Sequence, residues 1–419
     1  MIGLKSFPAG FMWGVATAGH QIEGGNYFSD WYKWEMEGKV KNGDTSETAC
    51  DSWNQLDRDL EILKKLSVKA YRYSIEWARV EPKLNKFDEE SLNKYRDFTI
   101  KLVEANIKPI ITLHHFVNPQ WFAEIGGWES RENLRYFLRY VNKVVDTLGE
   151  FVPFWITINE PNVYAIKSYL MGEWPPEVKD RGRAFQVLKN LLIAHTEAYD
   201  IIKSRYPSAM VSVAYNFVPF YPYRKWHPLD IITAFTLNKT YNYAFLDSIK
   251  HGKFYKPIGS GEKNKKLKDK LDFIGVNYYT RYFVKYSKPE PELVDTGNKK
   301  TDMGYEFYPE GLRTIIMKCH KDYSLPILIT ENGIADATDE KRWKYIKKAL
   351  EAVHKSLKGG AKVIGYMYWS LMDNFEWSEG YSMKFGLYKT KRNPLELVPR
   401  SSASKYADVI KNNALTDDD

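Results

Sequence analysis

Eight times along the 419-residue chain, a short apolar run stops abruptly on polar side chains. The runs cover 11–19, 70–77, 108–116, 154–160, 210–216, 272–279, 327–333 and 363–370. Apolar residues without alternation mark strands buried on both faces, as in a parallel sheet. Parallel strands need crossovers, and amphipathic stretches supply them. After the first run, Trp53, Leu56, Leu60, Leu63 and Leu66 fall on one helical face. Further helices are expected over 89–105, 131–148, 184–204, 340–356 and 402–411. Strand–helix units repeated eight times predict an α/β fold, a (β/α)8 TIM barrel forming one domain over 1–419. A doubly wound open sheet is the competing architecture, but no GxGxxG or P-loop follows any strand. Residues 221–270 are the least regular and should lie outside the barrel.

In a closed barrel the carboxyl ends of all strands face one mouth, where barrel enzymes keep their sites. That would gather Gln21, Glu23, Arg72, His115, Asn159, Glu160, Asn277, Tyr279, Glu331 and Trp369. Two runs share an ending. Ile156-Thr157-Ile158-Asn159-Glu160 and Ile329-Thr330-Glu331-Asn332-Gly333 each finish on a glutamate beside an asparagine. A lone strand-end glutamate commonly forms a salt bridge. Two of them in an aromatic, polar cleft are the equipment of a glycosidase. One protonates the departing oxygen while the other attacks the anomeric carbon or activates water. A separation of ~5–5.5 Å would mean retention of configuration, and ~6.5–9.5 Å inversion.

Composition narrows the partners. The chain has 13 Trp, 30 Tyr and 21 Phe, most of them core, but an indole at a strand end suits the apolar face and hydroxyl edge of a sugar. The net charge of +8 comes from 61 basic residues interleaved with 53 acidic ones. No basic stripe with exposed aromatics appears, so no nucleic-acid partner is expected. Cys50 and Cys319 lie in neither CxxC nor zinc spacing and read as free thiols. His20, His114 and His115 form no HxH pattern, and adjacent strand residues point to opposite sides. No metal and no cofactor are therefore expected. Residues 11–19 are too few to span a bilayer and no secretory signal is evident. A cytoplasmic chain without a transmembrane segment is the expectation. The four glutamines beside abundant Lys and Glu suggest a heat-adapted source. Asp417-Asp418-Asp419 reads as a solvated tail. Oligomeric state stays open, a homo-oligomer included.

Taken together, a series of motifs resembles glycoside hydrolase family 1 β-glycosidases of the archaeal branch. They are Gln21-Ile22-Glu23-Gly24, Tyr71-Arg72-Tyr73-Ser74-Ile75-Glu76-Trp77, His114-His115-Phe116, Thr157-Ile158-Asn159-Glu160-Pro161, Asn277-Tyr278-Tyr279 and Ile329-Thr330-Glu331-Asn332-Gly333. Tyr368-Trp369-Ser370-Leu371-Met372-Asp373-Asn374-Phe375-Glu376-Trp377 and Lys384-Phe385-Gly386-Leu387 complete the series. They span nearly the whole chain in the family's order.

The resemblance implies a retaining exo-β-glycosidase with Glu331 as nucleophile and Glu160 as acid/base. Arg72 and Tyr279 would hold Glu331 ionised, and Asn159 would contact the sugar's 2-hydroxyl, with Asn277 beside it. Gln21, His115, Glu376 and Trp377 would grip the outer hydroxyls. Trp369 would be the floor under the ring and Phe385 one wall. Family members that take 6-phosphorylated sugars lack the carboxylate of Glu376, so the implied substrate is an unphosphorylated β-glucoside, with galactosides, fucosides or mannosides tolerated. Its partner class is a small β-glycoside or oligosaccharide. Two departures stand out. Phe116 replaces a common tryptophan, removing an indole donor at the sugar pocket and bearing on glucose-versus-mannose preference. The chain is also short for the family, which predicts trimmed loops and an open aglycone side. The competing readings are an endo-acting glucanase or xylanase of the same mechanistic clan, and a non-catalytic sugar-binding barrel.

Overall fold

Successive strand side chains point to opposite faces, and in this barrel each face has its own core. The computed structural model describes residues 4–416, so the acidic stretch 417–419 lies outside the described residues. Eight parallel strands pair in chain order: β1 (Met12–Ala16), β2 (Ala70–Ser74), β3 (Lys108–Thr112), β4 (Phe154–Asn159), β5 (Met210–Phe217), β6 (Ile274–Tyr278), β7 (Ile327–Asn332) and β8 (Val363–Trp369). β8 pairs back onto β1 and closes the barrel. Met12, Ala70, Ile110, Ile156, Ala214, Leu328 and Met367 fill the interior. Their strand neighbours Trp13, Tyr71, Ile111, Trp155, Val213, Ile327 and Tyr366 belong to the outer core. The (β/α)8 fold is as expected.

The outer core is covered by α1 (Leu56–Lys65), α2 (Glu89–Glu104), α3 (Leu134–Leu148), α4 (Arg181–Arg205), α5 (Ala244–His251), α6 (Gly311–Tyr323), α7 (Arg342–Lys358) and α8 (Ser401–Asn412). α3 shows why they dock. It buries Leu134, Phe137, Tyr140, Val141, Val144, Val145 and Leu148, one stripe at helical spacing, each worth about 1.5–3 kcal/mol as an upper estimate. Side-chain caps set two starts: Asp88 accepts from Ser91 N on α2, and Asp180 from Arg183 N on α4.

Two of these eight helices went unread in the sequence. α6 buries Leu312, Ile315, Ile316, Cys319 and Tyr323 at helical spacing, and like α1, α3, α7 and α8 it has no side-chain cap. α5 is only 8 residues long and lies inside the stretch expected to be irregular. The rest of that stretch does leave the barrel. Phe220–Pro222 joins Tyr282–Lys285 and Glu292–Val294 in a small sheet, with helix Pro228–Leu237 packed on it. Several strands also stop sooner than expected. β3 ends at Thr112 rather than at residue 116, because the chain turns there to aim His115 and Phe116 at the mouth. Both cysteines are buried free thiols.

Candidate active site

Regular alternation would send Glu331 outward with Ile327 and Ile329. Instead the pairing of β7 slips against β6 between Ile329 and Glu331, and against β8 between Ile329 and Asn332. Such a bulge re-aims the side chains beyond it. Thr330 and Glu331 both face the interior: Thr330 Oγ1 donates to Asn277 Oδ1 at 2.6 Å, while Asn332 turns outward to Tyr278 O and Tyr345. Gly333 then crosses the β8 backbone so closely that a Cβ would sit 1.9 Å from the Trp369 carbonyl oxygen. β4 slips in the same way between Ile156 and Asn159. Thr157 bonds outward to His195 at 2.7 Å, and Asn159 is turned inward. Glu160 follows in the left-handed region at φ 42°, its N–H donating to Ala214 O at 2.7 Å. Pro161, pre-set for a first helical position, starts the short helix Pro161–Tyr164.

One guanidinium ties these ends together. Arg72 Nη1 donates to Glu331 Oε1 at 2.6 Å, Nη2 to Asn159 Oδ1 at 2.7 Å and Nε to Thr112 Oγ1 at 3.0 Å. Tyr279 OH donates to Glu331 Oε2 at 2.6 Å. Glu160 Oε1 accepts from Asn216 Nδ2 and Asn277 Nδ2, each at 2.9 Å, and Asn277 also favours the charged form of Glu331. Burial, then repulsion from Glu331, pushes the Glu160 carboxyl up to about 8. Burial leaves Glu331 raised as well, with Arg72 and then Tyr279 opposing the rise. The Arg72 and Tyr279 donors on Glu331 favour its charged form, whereas Glu160 has no cation bonded to it, so a proton is held preferentially on Glu160.

His115 stays neutral, because burial and then Arg72 hold it well below the usual histidine range. Its Nε2 accepts from Asn159 Nδ2 at 3.0 Å, which puts the proton on Nδ1. That Nδ1 and Gln21 Oε1 are buried without a partner among the described residues. His115 lines the cleft, and Gln21 stands behind the lining, where its Nε2 donates to Phe375 O at 2.7 Å and to Glu376 Oε2 at 3.3 Å. Glu376 is itself raised to about 8 by burial and then Glu331. Trp369 stacks near His115 at 5.9 Å, and Trp377 lies between His115 and His20, 6.0 Å from each. Phe385 stands edge-on to Tyr279 at 6.0 Å. Phe116 packs on Trp377 at 5.2 Å and brings no donor there.

The cleft encloses about 550 Å³ and is lined by nine of the twelve residues expected to act on the sugar, with the other three, Gln21, Arg72 and Asn277, supporting them from behind. Glu23 turns away: its carboxylate accepts from Arg79 at 3.0 Å and Tyr95 at 2.7 Å, the bland fate of a strand-end glutamate. His114 points to the other side of the chain from His115, bonding Asn118. Asn216 was missed, although a polar residue near the carboxyl end of β5 was its available signal. Beyond the carboxyls the cleft is walled by Val163, Ile166, Met171, Val218, Phe220 and Met303.

Two buried carboxyls in unequal surroundings at the mouth of a (β/α)8 barrel, in a cleft walled by indoles, define a glycoside hydrolase. Comparison with known proteins says which kind. The model of glycosyl hydrolase family 1 matches residues 4–415, and the chain belongs to that family. A 1,4-beta-D-glucan glucohydrolase of Thermotoga neapolitana is 36% identical, covering 99% of this chain and all of the relative. That alignment runs over 445 positions against 419 residues here, so the relative carries insertions that this chain lacks. Among solved structures, a family 1 β-glucosidase from Thermotoga maritima superposes with a TM-score of 0.95 at 34% identity, covering 99% of this chain and 100% of the other. A beta-glycosidase from Pyrococcus horikoshii superposes at 0.93 and 36% identity, covering 99% and 97%. Likenesses this even assign the family and no branch within it.

Proposed function

We propose that the protein is a retaining exo-β-glycosidase acting on unphosphorylated β-glucosides. The observation that carries this is the unequal surroundings of two buried carboxyls that share Asn277: Glu331 is clamped by Arg72 and Tyr279, which favour its charge, while Glu160 meets only amides and is raised to about 8, which favours its proton. A shared amide favours the ~5–5.5 Å spacing of retaining enzymes over the ~6.5–9.5 Å of inverting ones. Glu331 attacks the anomeric carbon as Glu160 delivers its proton to the leaving oxygen. The bond to the aglycone breaks and an ester to Glu331 forms. Glu160, now a carboxylate, takes a proton from water, and the resulting hydroxide displaces Glu331 from the sugar. Asn159, held by Arg72, would bond the 2-hydroxyl as charge develops on the ring.

The two orphaned atoms, Gln21 Oε1 and His115 Nδ1, supply an acceptor and a donor for outer hydroxyls. Together with Trp377 and Glu376 they form a gripping end suited to a terminal sugar, a feature that favours exo-action over the endo-glucanase reading. A sugar phosphate is poorly served. The single cation among the cleft-lining side chains is Lys167, which is paired with Glu173, and the lining offers no other positive charge to a phosphate among the described residues. The apolar wall favours apolar aglycones. Proton NMR of aryl β-glucoside hydrolysis should show the β-anomer of glucose first, with mutarotation following, and the 6-phosphorylated analogue should be turned over far more slowly. Initial α-glucose, or faster cleavage of the phosphate, would overturn this reading.

Asn216 offers a second check. Its amide favours the ionised form of Glu160, so Asn216→Ala raises that pKa. Because the first step needs Glu160 protonated, the alkaline limb of kcat/KM should move to higher pH by roughly one unit, the equivalent of ~1.4 kcal/mol. An unmoved limb would show that Asn216 does not act through Glu160.

A further inference from the structure

Six large apolar side chains within residues 223–235 are left exposed: Tyr223, Trp226, Leu229, Ile231, Ile232 and Phe235. Trp226 is 77% exposed and Phe235 68%. They centre on helix Pro228–Leu237, which is built inside out. Its inward positions include Asp230 and Ala234, which are buried. Asp230 accepts from Arg224 Nε and Nη2, both at 2.8 Å, and from Tyr286 N at 2.9 Å, tying the helix to the small sheet. The outward stripe runs through Ile231, Ile232 and Phe235, and Lys239 follows one turn later on the same side. A surface helix ordinarily turns its apolar stripe to the core. An apolar patch that is instead exposed and contiguous marks an interaction site.

Charge says which partner. Lys225, beside Trp226, and Lys239 are exposed at the two ends of the stripe. The one acid between 223 and 239 is Asp230, buried and paired with Arg224. On the adjoining segment, Glu292 is paired with Lys285 and Asp295 with Lys300, and the exposed Glu290 has Lys288 two residues away. A second copy of this face would set lysine against lysine whether two helices met parallel or antiparallel. Anionic headgroups over an acyl interior complement both the cations and the apolar stripe. No helix among the described residues is long and apolar enough to cross a membrane, so the contact would lie on the surface.

We propose that segment 223–239 docks on an anionic lipid surface. Trp226, Ile232 and Phe235 enter the boundary between headgroups and acyl chains, and Lys225 and Lys239 meet lipid phosphates. The small sheet beneath contributes Phe220, Tyr282 and Leu293 to the cleft wall. Docking would therefore set the cleft beside the bilayer, which, resting on the glycosidase reading above, suits glycosides whose aglycone is anchored there.

The test is co-sedimentation of the full chain with phosphatidylcholine vesicles, with and without phosphatidylglycerol. Binding should require phosphatidylglycerol and weaken with added salt. W226S/I232S/F235S should cut partitioning by at least ~10-fold, and K225E/K239E by a similar factor, at about 1 kcal/mol per lysine. An unchanged thermal midpoint checks that each variant is folded, so the result does not depend on activity. Wild-type protein left in the supernatant with both vesicle types would overturn the proposal, as would a triple variant that sediments like wild type. So would a lipid-free dimer of wild type that the triple variant abolishes, since a second copy would then own this face.

Discussion

Glu331→Gly is expected to lose at least ~10⁴-fold in kcat/KM on an aryl β-glucoside, near the limit for one catalytic group. The loss should be partly restored by azide, with α-glucosyl azide as the product. The reasoning is geometric. Removing the side chain leaves a space facing the anomeric carbon beside Arg72, whose Nη1 loses the acceptor it holds at 2.6 Å. A small anion is drawn to that cation and attacks from the face Glu331 would have used. Glu160 still protonates the leaving oxygen, so a single displacement inverts the centre. Wild-type activity in this variant would falsify the nucleophile assignment. A β-azide would reassign the roles of the two carboxyls.

Glu160→Ala should behave differently, and the contrast is the sharper test. Loss should be about 10²–10⁴-fold on substrates with poor leaving groups, because general acid catalysis matters most there. With a dinitrophenyl leaving group, which departs without a proton, formation of the glycosyl-enzyme should be nearly unimpaired. Azide should then intercept that ester on the face left open by Glu160 and yield the β-azide. The pH profile carries the sign. In wild type, activity falls as pH rises through the Glu160 pKa of about 8, because the proton donor is lost. It falls on the acid side as Glu331 is protonated. Glu160→Ala should lose the alkaline limb and keep the acid one. An alkaline limb that survives in Glu160→Ala would point to Glu376, which burial also raises to about 8.

The barrel was legible because its strands are buried on both faces and so read as unbroken apolar runs. α6 carried a legible stripe that went unread, and α5 was hidden by its shortness. Residue identity could nominate the site but could not sort one strand-end glutamate from another. Glu23 and Glu331 look alike in the sequence, yet one meets Arg79 and Tyr95 and the other Arg72 and Tyr279. Asn216 shows the converse. Nothing near it in the chain points to Glu160, because their contact spans 56 positions and exists only where β4 and β5 pair.

The amino-acid order by itself determined the count of strands, the wrapping of helices around them, and the glutamates and indoles at their carboxyl ends. Those follow from local rules, period and burial, that each segment carries within itself. The tertiary structure alone decided which way the decisive side chains point. Parity along β7 places Glu331 outward with Ile329, and only the slip against β6 and β8 turns it to the cleft. The matching slip in β4 and the left-handed turn at Glu160 do the same for its partner. A register slip is a compromise between neighbouring strands, and no single strand encodes its neighbours.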